Sequence, residues 1–299
     1  MNRKKLIGVA AACIIGVVVV ALIVFSSGQG APGDRVVTFQ DRNIDTAIRE
    51  ALNKPSGPIH ASELAGLTSL TAFNSGIEHL SGLQYCTNLT HLDVWHNQIG
   101  DISPLANLTN LIYLDLGDNG MSDISPLANL TNLIYLYLYS NQIGDISPLA
   151  NLTNLRRLSL QYNQINDISP LANLASLTDL DLLHNQIGDI SPLADLTSLT
   201  YLDLGTNQIS NISPLADLTG LTYLYLRQNQ ISDISVLANL TSLTEILLYS
   251  NRISDISPLV ANPALGQSDH VSLTDNPLSL DSIDEYFFQL RERGVRVDY

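Results

Sequence analysis

The chain has 299 residues, a hydrophobic share of 45% and a formal net charge of −15 at pH 7. This acidic balance argues against a nucleic-acid binder that tracks phosphates, because such proteins need clustered cations. It argues equally against electrostatic docking on an anionic membrane surface. The two cysteines, Cys13 and Cys86, are too few for a disulfide framework or a thiolate zinc site.

The start of the chain predicts a membrane segment and a linker. Residues 1–5 form a basic stub that we expect to be cytoplasmic, and residues 6–25 contain no charge. A helix of that length spans about 30 Å, the thickness of a bilayer core, so we predict a transmembrane signal-anchor there. Residues 26–34 then form a flexible linker, and the rest of the chain lies outside the cytoplasm. The alternative is a cleaved signal peptide, which would make the protein secreted.

A period of 22 residues governs most of the remaining chain. In each unit, apolar residues alternate just before a recurring asparagine, which predicts a short strand with one buried face. We expect the asparagine amide to bond turn backbone groups that no strand ladder reaches. The recurring asparagines are Asn97, Asn119, Asn141, Asn163, Asn185, Asn207, Asn229 and Asn251.

A segment reading Asp-Ile-Ser-Pro-Leu follows the asparagine in most units. Its serine fits a helix N-cap and its proline the first helical position, so the segment predicts a short helical turn. Its aspartate, such as Asp145, recurs once per unit and is expected to have a structural role. Because one coil cannot bury its apolar face alone, the units should stack. In one unit the residues that would face the stack are Leu133, Leu136, Leu138, Ile143, Ile146, Leu149 and Leu152.

The pattern LxxLxLxxNxI resembles the leucine-rich repeat, and the Asp-Ile-Ser-Pro-Leu segment is similar to the internalin-type repeats of bacterial surface proteins. The resemblance covers residues 64–278, about ten repeats. It implies an α/β fold, a right-handed solenoid with parallel strands on the concave face and short 3-10 or helical turns on the convex face. Apolar residues at helical spacing predict caps over 35–63 and 279–299. The transmembrane helix completes the predicted fold.

In this family the side chains that leave the strands away from the core line the concave face. Nine of the twelve tyrosines and the only tryptophan fall at such positions, in two clusters separated by Arg157, Asp179 and Asp181. Tyrosine and tryptophan combine apolar area with a polar tip and dominate binding hot spots. The neighbouring acids could select a basic partner or bond sugar hydroxyls. The predicted ligand-binding residues are Trp95, Tyr113, Tyr135, Tyr137, Tyr139 and Tyr162 in the first cluster, Tyr201, Tyr223, Tyr225 and Tyr249 in the second, and the acids Asp93, Asp115, Asp181 and Asp203.

These residues predict a membrane-anchored extracytoplasmic module that binds a protein partner. The alternative is a cell-wall or carbohydrate-binding surface protein that uses the same aromatic residues. Two simpler interpretations remain: tyrosine also suits strands that stack on one another, and the acids also suit a solvated face. A spacer without a specific ligand is a further alternative. Because the sequence holds no nucleophile elbow, phosphate loop or zinc-helix motif, we predict no enzymatic activity, no cofactor and no metal.

Overall fold

A small cap precedes the first repeat. The computed structural model describes residues 34–299. The elements of the cap are β1 (Val36–Val37), α1 (Arg42–Ala51), β2 (Ile59–His60) and α2 (Ala61–Ala65), with β1 antiparallel to β2. Asp41 precedes α1 and accepts a hydrogen bond from the Asn43 amide at 2.7 Å. Its other oxygen accepts from the Glu78 and His79 amides at 2.6 and 3.1 Å, so one carboxylate joins the cap to the first coil.

Each coil then contributes one short strand to a parallel sheet. Within residues 34–299 this sheet has eleven strands, which follow one another in sequence order. Neighbouring strands pair at the repeat interval, so Leu136 lies between Leu114 and Leu158. The strands are β3 (Ser69–Thr71), β4 (His91–Asp93), β5 (Tyr113–Asp115), β6 (Tyr135–Tyr137), β7 (Arg157–Ser159), β8 (Asp179–Asp181), β9 (Tyr201–Asp203), β10 (Tyr223–Tyr225), β11 (Glu245–Leu247), β12 (His270–Ser272) and β13 (Arg296–Asp298).

A 3-10 turn carries the chain back in most coils, as the proline spacing predicted. The turns are Leu83–Tyr85, Ser103–Leu105, Ser125–Leu127, Ser147–Leu149, Ser169–Leu171, Ser191–Leu193, Ser213–Leu215 and Ser235–Asn239, and α3 (Ser257–Ala261) takes the same place in the next coil. The prediction that serine is the N-cap is wrong, because the turn already begins at the serine. The cap position is held by Ile146, and the aspartate before it bonds the start of the turn: Asp145 Oδ1 accepts from the Ser147 amide at 2.8 Å. Asn211 Oδ1 accepts from the Ser213 amide in the same way at 2.9 Å.

The core is a continuous column of leucine and isoleucine along the stack. All the inward residues predicted for the unit that begins at Leu133 are at most 1% exposed. The asparagines lie beside this column, and their side chains hydrogen-bond backbone groups of two neighbouring coils. Asn163 Nδ2 donates to Leu138 O of the previous coil at 2.9 Å and to Leu160 O of its own coil at 3.0 Å. Its Oδ1 accepts from the Ile143 amide at 3.0 Å. The predicted role of the repeated asparagine is confirmed.

The far end of the stack is covered by a helical segment and the last strand. A π-helical turn, Ser282–Tyr286, leads into α4 (Phe287–Glu292), and β13 then closes the sheet. Phe287 and Leu290 of α4 are buried against the core. The Tyr299 ring stacks on Phe287, with the centroids 4.0 Å apart. The end of the column is therefore shielded from water.

One part of the predicted fold class is wrong, namely the transmembrane helix. Of the helices between residues 34 and 299, none combines the length and the apolar character that crossing a bilayer requires. The longest of them, α1, has ten residues and reaches only about 15 Å. Residues 6–25, on which the helix was predicted, lie outside the described residues.

Candidate binding surface

The candidate residues lie on strands β4 to β11 or within three residues after them. Along a strand, side chains alternate between the two sides of the sheet. Tyr135 and Tyr137 flank the fully buried Leu136 and therefore leave the sheet on the side away from the core. We call this outer side of the sheet, with the side chains just after each strand, the strand face. Its most exposed tyrosines are Tyr135, Tyr162 and Tyr223, with 40%, 51% and 41% of the residue surface accessible.

The first group of rings extends across three neighbouring strands. Tyr113 contacts Tyr135 and Tyr137, with ring centroids 6.4 and 5.5 Å apart and planes inclined at 44° and 47°. On its other side His91 stacks on Tyr113 at 4.1 Å. Tyr139 lies over Gly117, since a Cβ on that glycine would come within 2.2 Å of the tyrosine Cζ. The glycine thus makes room for the ring.

The second group repeats the first, four coils further along the chain. Tyr201 contacts Tyr223 at 6.3 Å and Tyr225 at 5.5 Å, with the planes inclined at 46° and 86°. Among the ring contacts of residues 34–299, none involves Tyr249, which the sequence had grouped with these residues. Arg157 pairs with Asp179 at 2.6 Å between the two groups. The strand face therefore carries two similar sets of tyrosines with an ion pair between them.

Trp95 and Tyr162, which the sequence had clustered with the first group, make their ring contacts with other residues. Trp95 stacks on Phe73, with the centroids 5.5 Å apart and the planes inclined at 14°. Tyr162 contacts the His184 ring at 5.1 Å. Sequence reasoning missed Phe73, which is 49% exposed. Its position two residues after β3, equivalent to that of Trp95 after β4, is the signal that could have revealed it.

The four candidate acids form two pairs in register. Asp93 lies beside Asp115, and Asp181 beside Asp203. Burial raises the pKa of Asp115 to about 7, and the charge of Asp93 adds to the effect. Burial also raises the pKa of Asp181 to about 7, with a further contribution from Asp203. Asp115 and Asp203 are only 8% and 3% exposed, so these two carboxyls are largely withdrawn from solvent.

An arginine that sequence reasoning left out completes the second acidic pair. Arg227 Nη1 and Nη2 donate to the two carboxylate oxygens of Asp203 at 3.1 and 3.0 Å. The guanidinium carbon lies 5.6 Å from the centroid of the Tyr225 ring. Burial keeps the pKa of Asp203 above its usual value although the arginine opposes the shift. The signal in the sequence is an aspartate in one coil followed by an arginine two residues after the next strand.

Two further features bear on the chemistry of the surface. Within residues 34–299, no three His, Cys, Asp or Glu side chains are grouped so that they could hold a metal ion. A groove of about 610 Å³ lies beside the starts of the strands, and none of the candidate residues lines it. The groups on the strand face are aromatic rings, carboxylates and guanidinium groups, which suit noncovalent contact.

Two family models match the repeats directly. The model described as "Leucine Rich repeats (2 copies)" matches residues 109–151, 153–194, 175–217 and 219–261. The model described as "Leucine Rich repeat" matches residues 85–102. These matches together span more than half of the chain. No curated protein sequence matches the chain significantly.

Solved structures of internalins are similar to this chain. Internalin C2 from Listeria monocytogenes has 43% identity and a TM-score of 0.69, over 70% of this chain and 94% of that one. An internalin (inlF) from the same species has 34% identity and a TM-score of 0.57, over 87% and 96%. The LRR ectodomain of the plant membrane receptor kinase GASSHO1/SCHENGEN3 from Arabidopsis thaliana, solved in complex with CASPARIAN STRIP INTEGRITY FACTOR 2, shares the fold. It has 21% identity and a TM-score of 0.58, over 74% of this chain and 34% of that one. The chain belongs to the leucine-rich repeat family and is an internalin-like member of it.

Proposed function

We propose that the protein is a binding module that acts outside the cytoplasm and that its strand face binds a protein partner. One observation carries the proposal: there are two groups of tyrosines outside the core, and within each group the rings are in contact. Each tyrosine can bury about 150–250 Å² in an interface and still offer a hydroxyl group. Tyrosines that only fill the sheet would not need to repeat as a set in two places.

The dimensions of the sheet also favour a large partner. Eleven strands at about 4.8 Å spacing form a face roughly 48 Å long. This length exceeds what a small substrate can cover and suits the extended surface of a protein. The complex of the plant ectodomain is an example of a similar fold that holds a partner outside the cell.

A glycan is the competing ligand, and the tilt of the rings counts against it. A sugar stacks on an open aromatic face. The rings that contact Tyr113 and Tyr201 are instead inclined to them by 44° or more. These contacts cover part of the ring faces and leave less flat ring surface on which a sugar could stack. Edges and hydroxyls are suited to the mixed polar and apolar surface of a protein.

The test compares two ligand classes and uses variants that spare the core. We expect the double variant Tyr135→Ala and Tyr223→Ala to fold normally, because both rings are among the more exposed ones. The full chain is first used to capture proteins from a cell-surface extract. The affinity of the wild-type chain and of the double variant for the captured protein is then measured. Losing two hot-spot residues should weaken this affinity at least tenfold.

The matched control is Phe288→Ala, which removes a ring that is 61% exposed on α4, away from the strand face. It should leave the affinity unchanged. The wild-type chain, the double variant and the control are also applied to a panel of polysaccharides. Unchanged protein capture by the double variant would contradict the proposal. Polysaccharide binding that depends on the two tyrosines would assign the face to a glycan, and no binding at all would favour a spacer.

A further inference from the structure

The two tyrosine groups belong to two copies of a larger arrangement, related by four coils. Each copy has a pair of in-register aspartates and a glycine that is covered by a side chain from the next coil. In both copies the aspartate before the glycine accepts its amide, from Gly117 at 2.9 Å and from Gly205 at 2.8 Å. The first copy consists of Asp93, Tyr113, Asp115, Gly117, Tyr137 and Tyr139, and the second of Asp181, Tyr201, Asp203, Gly205, Tyr225 and Arg227.

The copies differ in the covering residue and in the charged residue beside one tyrosine, which is Arg157 next to Tyr137 and Glu245 next to Tyr225. Arg227 lies over Gly205, with Cγ, Cζ and Nη1 each 3.0 Å from where a Cβ would be. From there its guanidinium reaches the buried carboxylate of Asp203 with both terminal nitrogens. The second copy thus shows which ligand fits this arrangement: a guanidinium held by a carboxylate and placed against tyrosine rings.

The first copy has the same frame, but none of the ion pairs within residues 34–299 joins a cation to its aspartates. Tyr139 lies over Gly117 where the arginine lies in the second copy. Asp115 is only 8% exposed and accepts a single hydrogen bond, from Gly117. No ion pair among residues 34–299 involves Asp115 or Asp93. The second oxygen of Asp115 stays in contact with solvent, since Ser81 Oγ is the only described side-chain atom that is both sealed and unpartnered.

We propose that the first copy is an arginine pocket, in which a guanidinium of the protein partner pairs with Asp115 between the rings of Tyr113, Tyr137 and Tyr139. This inference rests on the proposed function and specifies the chemistry of the partner. A planar guanidinium fits better than an ammonium, because it can bond a carboxylate with two nitrogens and stack on a ring at the same time. The net charge of −15 would assist the approach of a basic segment.

The electrostatics of the first copy support this assignment. Two carboxyls lie side by side on β4 and β5, with His91, Tyr113 and the tyrosines of the next coil around them. Arg157 interacts with Tyr137 but is already paired with Asp179. Burial lowers the pKa of His91, which disfavours a positive charge on it. The chain itself therefore offers little to neutralise Asp115. A partner's guanidinium would remove the cost of keeping this carboxylate charged.

The test uses two short capped peptides that differ by one group. One is Gly-Ser-Arg-Ser-Gly, and the other replaces arginine with citrulline, which has nearly the same shape and no charge. Each is titrated into the full-length chain while the ¹³C signals of the aspartate carboxyls are followed by NMR. We expect the arginine peptide to shift the Asp115 signal with a dissociation constant of about 1 mM and to bind at least tenfold tighter than the citrulline peptide.

Two variants locate the pocket. Asp115→Asn keeps an acceptor for the Gly117 amide, and Tyr139→Arg should fill the pocket from within, as Arg227 does. Both should abolish the preference for arginine, whereas Asp123→Asn, on an exposed turn, should retain it. Equal binding of both peptides, no binding of either, or a preference that survives in Asp115→Asn would overturn the proposal. If the Tyr135 and Tyr223 variant still loses protein capture in that case, the proposed function stands and only the arginine pocket fails.

Discussion

Asp115 lies on the outer side of a sheet, yet most of its surface is covered by its neighbours. Its pKa in the folded chain, about 7, is above the ordinary value of 3.8. Between these two pH values the folded state binds more protons than the unfolded state, so stability falls as the pH rises. This is the opposite of an ion-paired carboxylate. The position thus weakens the fold at neutral pH, as expected of a residue kept for binding.

Replacing Asp115 with asparagine should therefore stabilise the protein, and more so at high pH. The full shift would correspond to about 4 kcal/mol, and the remaining contact of Asp115 with solvent reduces the expected gain at pH 8 to about 2 kcal/mol. At pH 4 the gain should nearly vanish, because the carboxyl is then protonated in the folded state. Urea unfolding at the two pH values measures it. The control is Asp123→Asn, where hydrogen bonds from Ser125 lower the pKa, and no gain is expected. An equal gain at both pH values would argue against this account.

The sequence predicted the residues of the strand face better than their contacts. Position within the repeat shows on which side a residue leaves the strand, because the period fixes the inward set. The contacts depend on which residue occupies the same position in the next coil. Trp95 stacks back on Phe73 and not forward, because the equivalent residue of the next coil is Gly117. That glycine is covered by Tyr139, a contact that repeat spacing alone could not show.

At the scale of one coil, strand, asparagine and helical turn form a unit whose polar backbone is satisfied locally. The strand and the asparagine were predictable, because the apolar period and the need to pair buried backbone groups both act on single positions. The cap of the turn was not predictable. Aspartate and serine both favour N-cap positions and lie two residues apart, yet the cap position falls on Ile146 between them, and Asp145 bonds the Ser147 amide from outside the turn.

The asparagine ladder gives a prediction at this scale. Asn163→Ala should remove the bonds to Leu138 and Leu160 and leave the Ile143 amide without a partner in a buried site. Losing these bonds should cost about 2–4 kcal/mol of unfolding free energy, measured in urea. Asn154→Ala is the matched control, because Asn154 is exposed and makes one bond, to Thr131 O at 2.8 Å. Its cost should stay below about 1 kcal/mol, and similar losses in both variants would contradict the assigned role.

At the scale of the described molecule, each coil packs on its two neighbours, and one core runs from cap to cap. The stability of such a stack is roughly a sum over coils and the interfaces between them. Because the coils share one period, the stack should tolerate the loss of a whole period better than the loss of part of one, which would move polar residues into core positions. The caps matter for a different reason, since they protect the two ends of the column from water.

Deleting residues 155–176 removes one whole period and should therefore leave a folded protein. The denaturant slope of unfolding should fall by roughly one-twelfth, since it follows the surface exposed on unfolding. Deleting only residues 155–165 should abolish cooperative unfolding, because half a period places polar residues in the core. Circular dichroism and urea titration measure both outcomes. A cooperative fold after the shorter deletion, or none after the longer one, would refute the dependence on phase.

The asparagine ladder also has a genetic consequence. Because Asn163, Asn185 and Asn207 bond equivalent residues in the coil before each of them, the junctions between these coils are interchangeable. Unequal crossing-over between two copies of the repeat in the gene would therefore add or remove complete coils without a need for any compensating mutation. We expect alleles of this gene to vary in the number of repeats and rarely in their length, and the distance between the two tyrosine groups to evolve in whole steps.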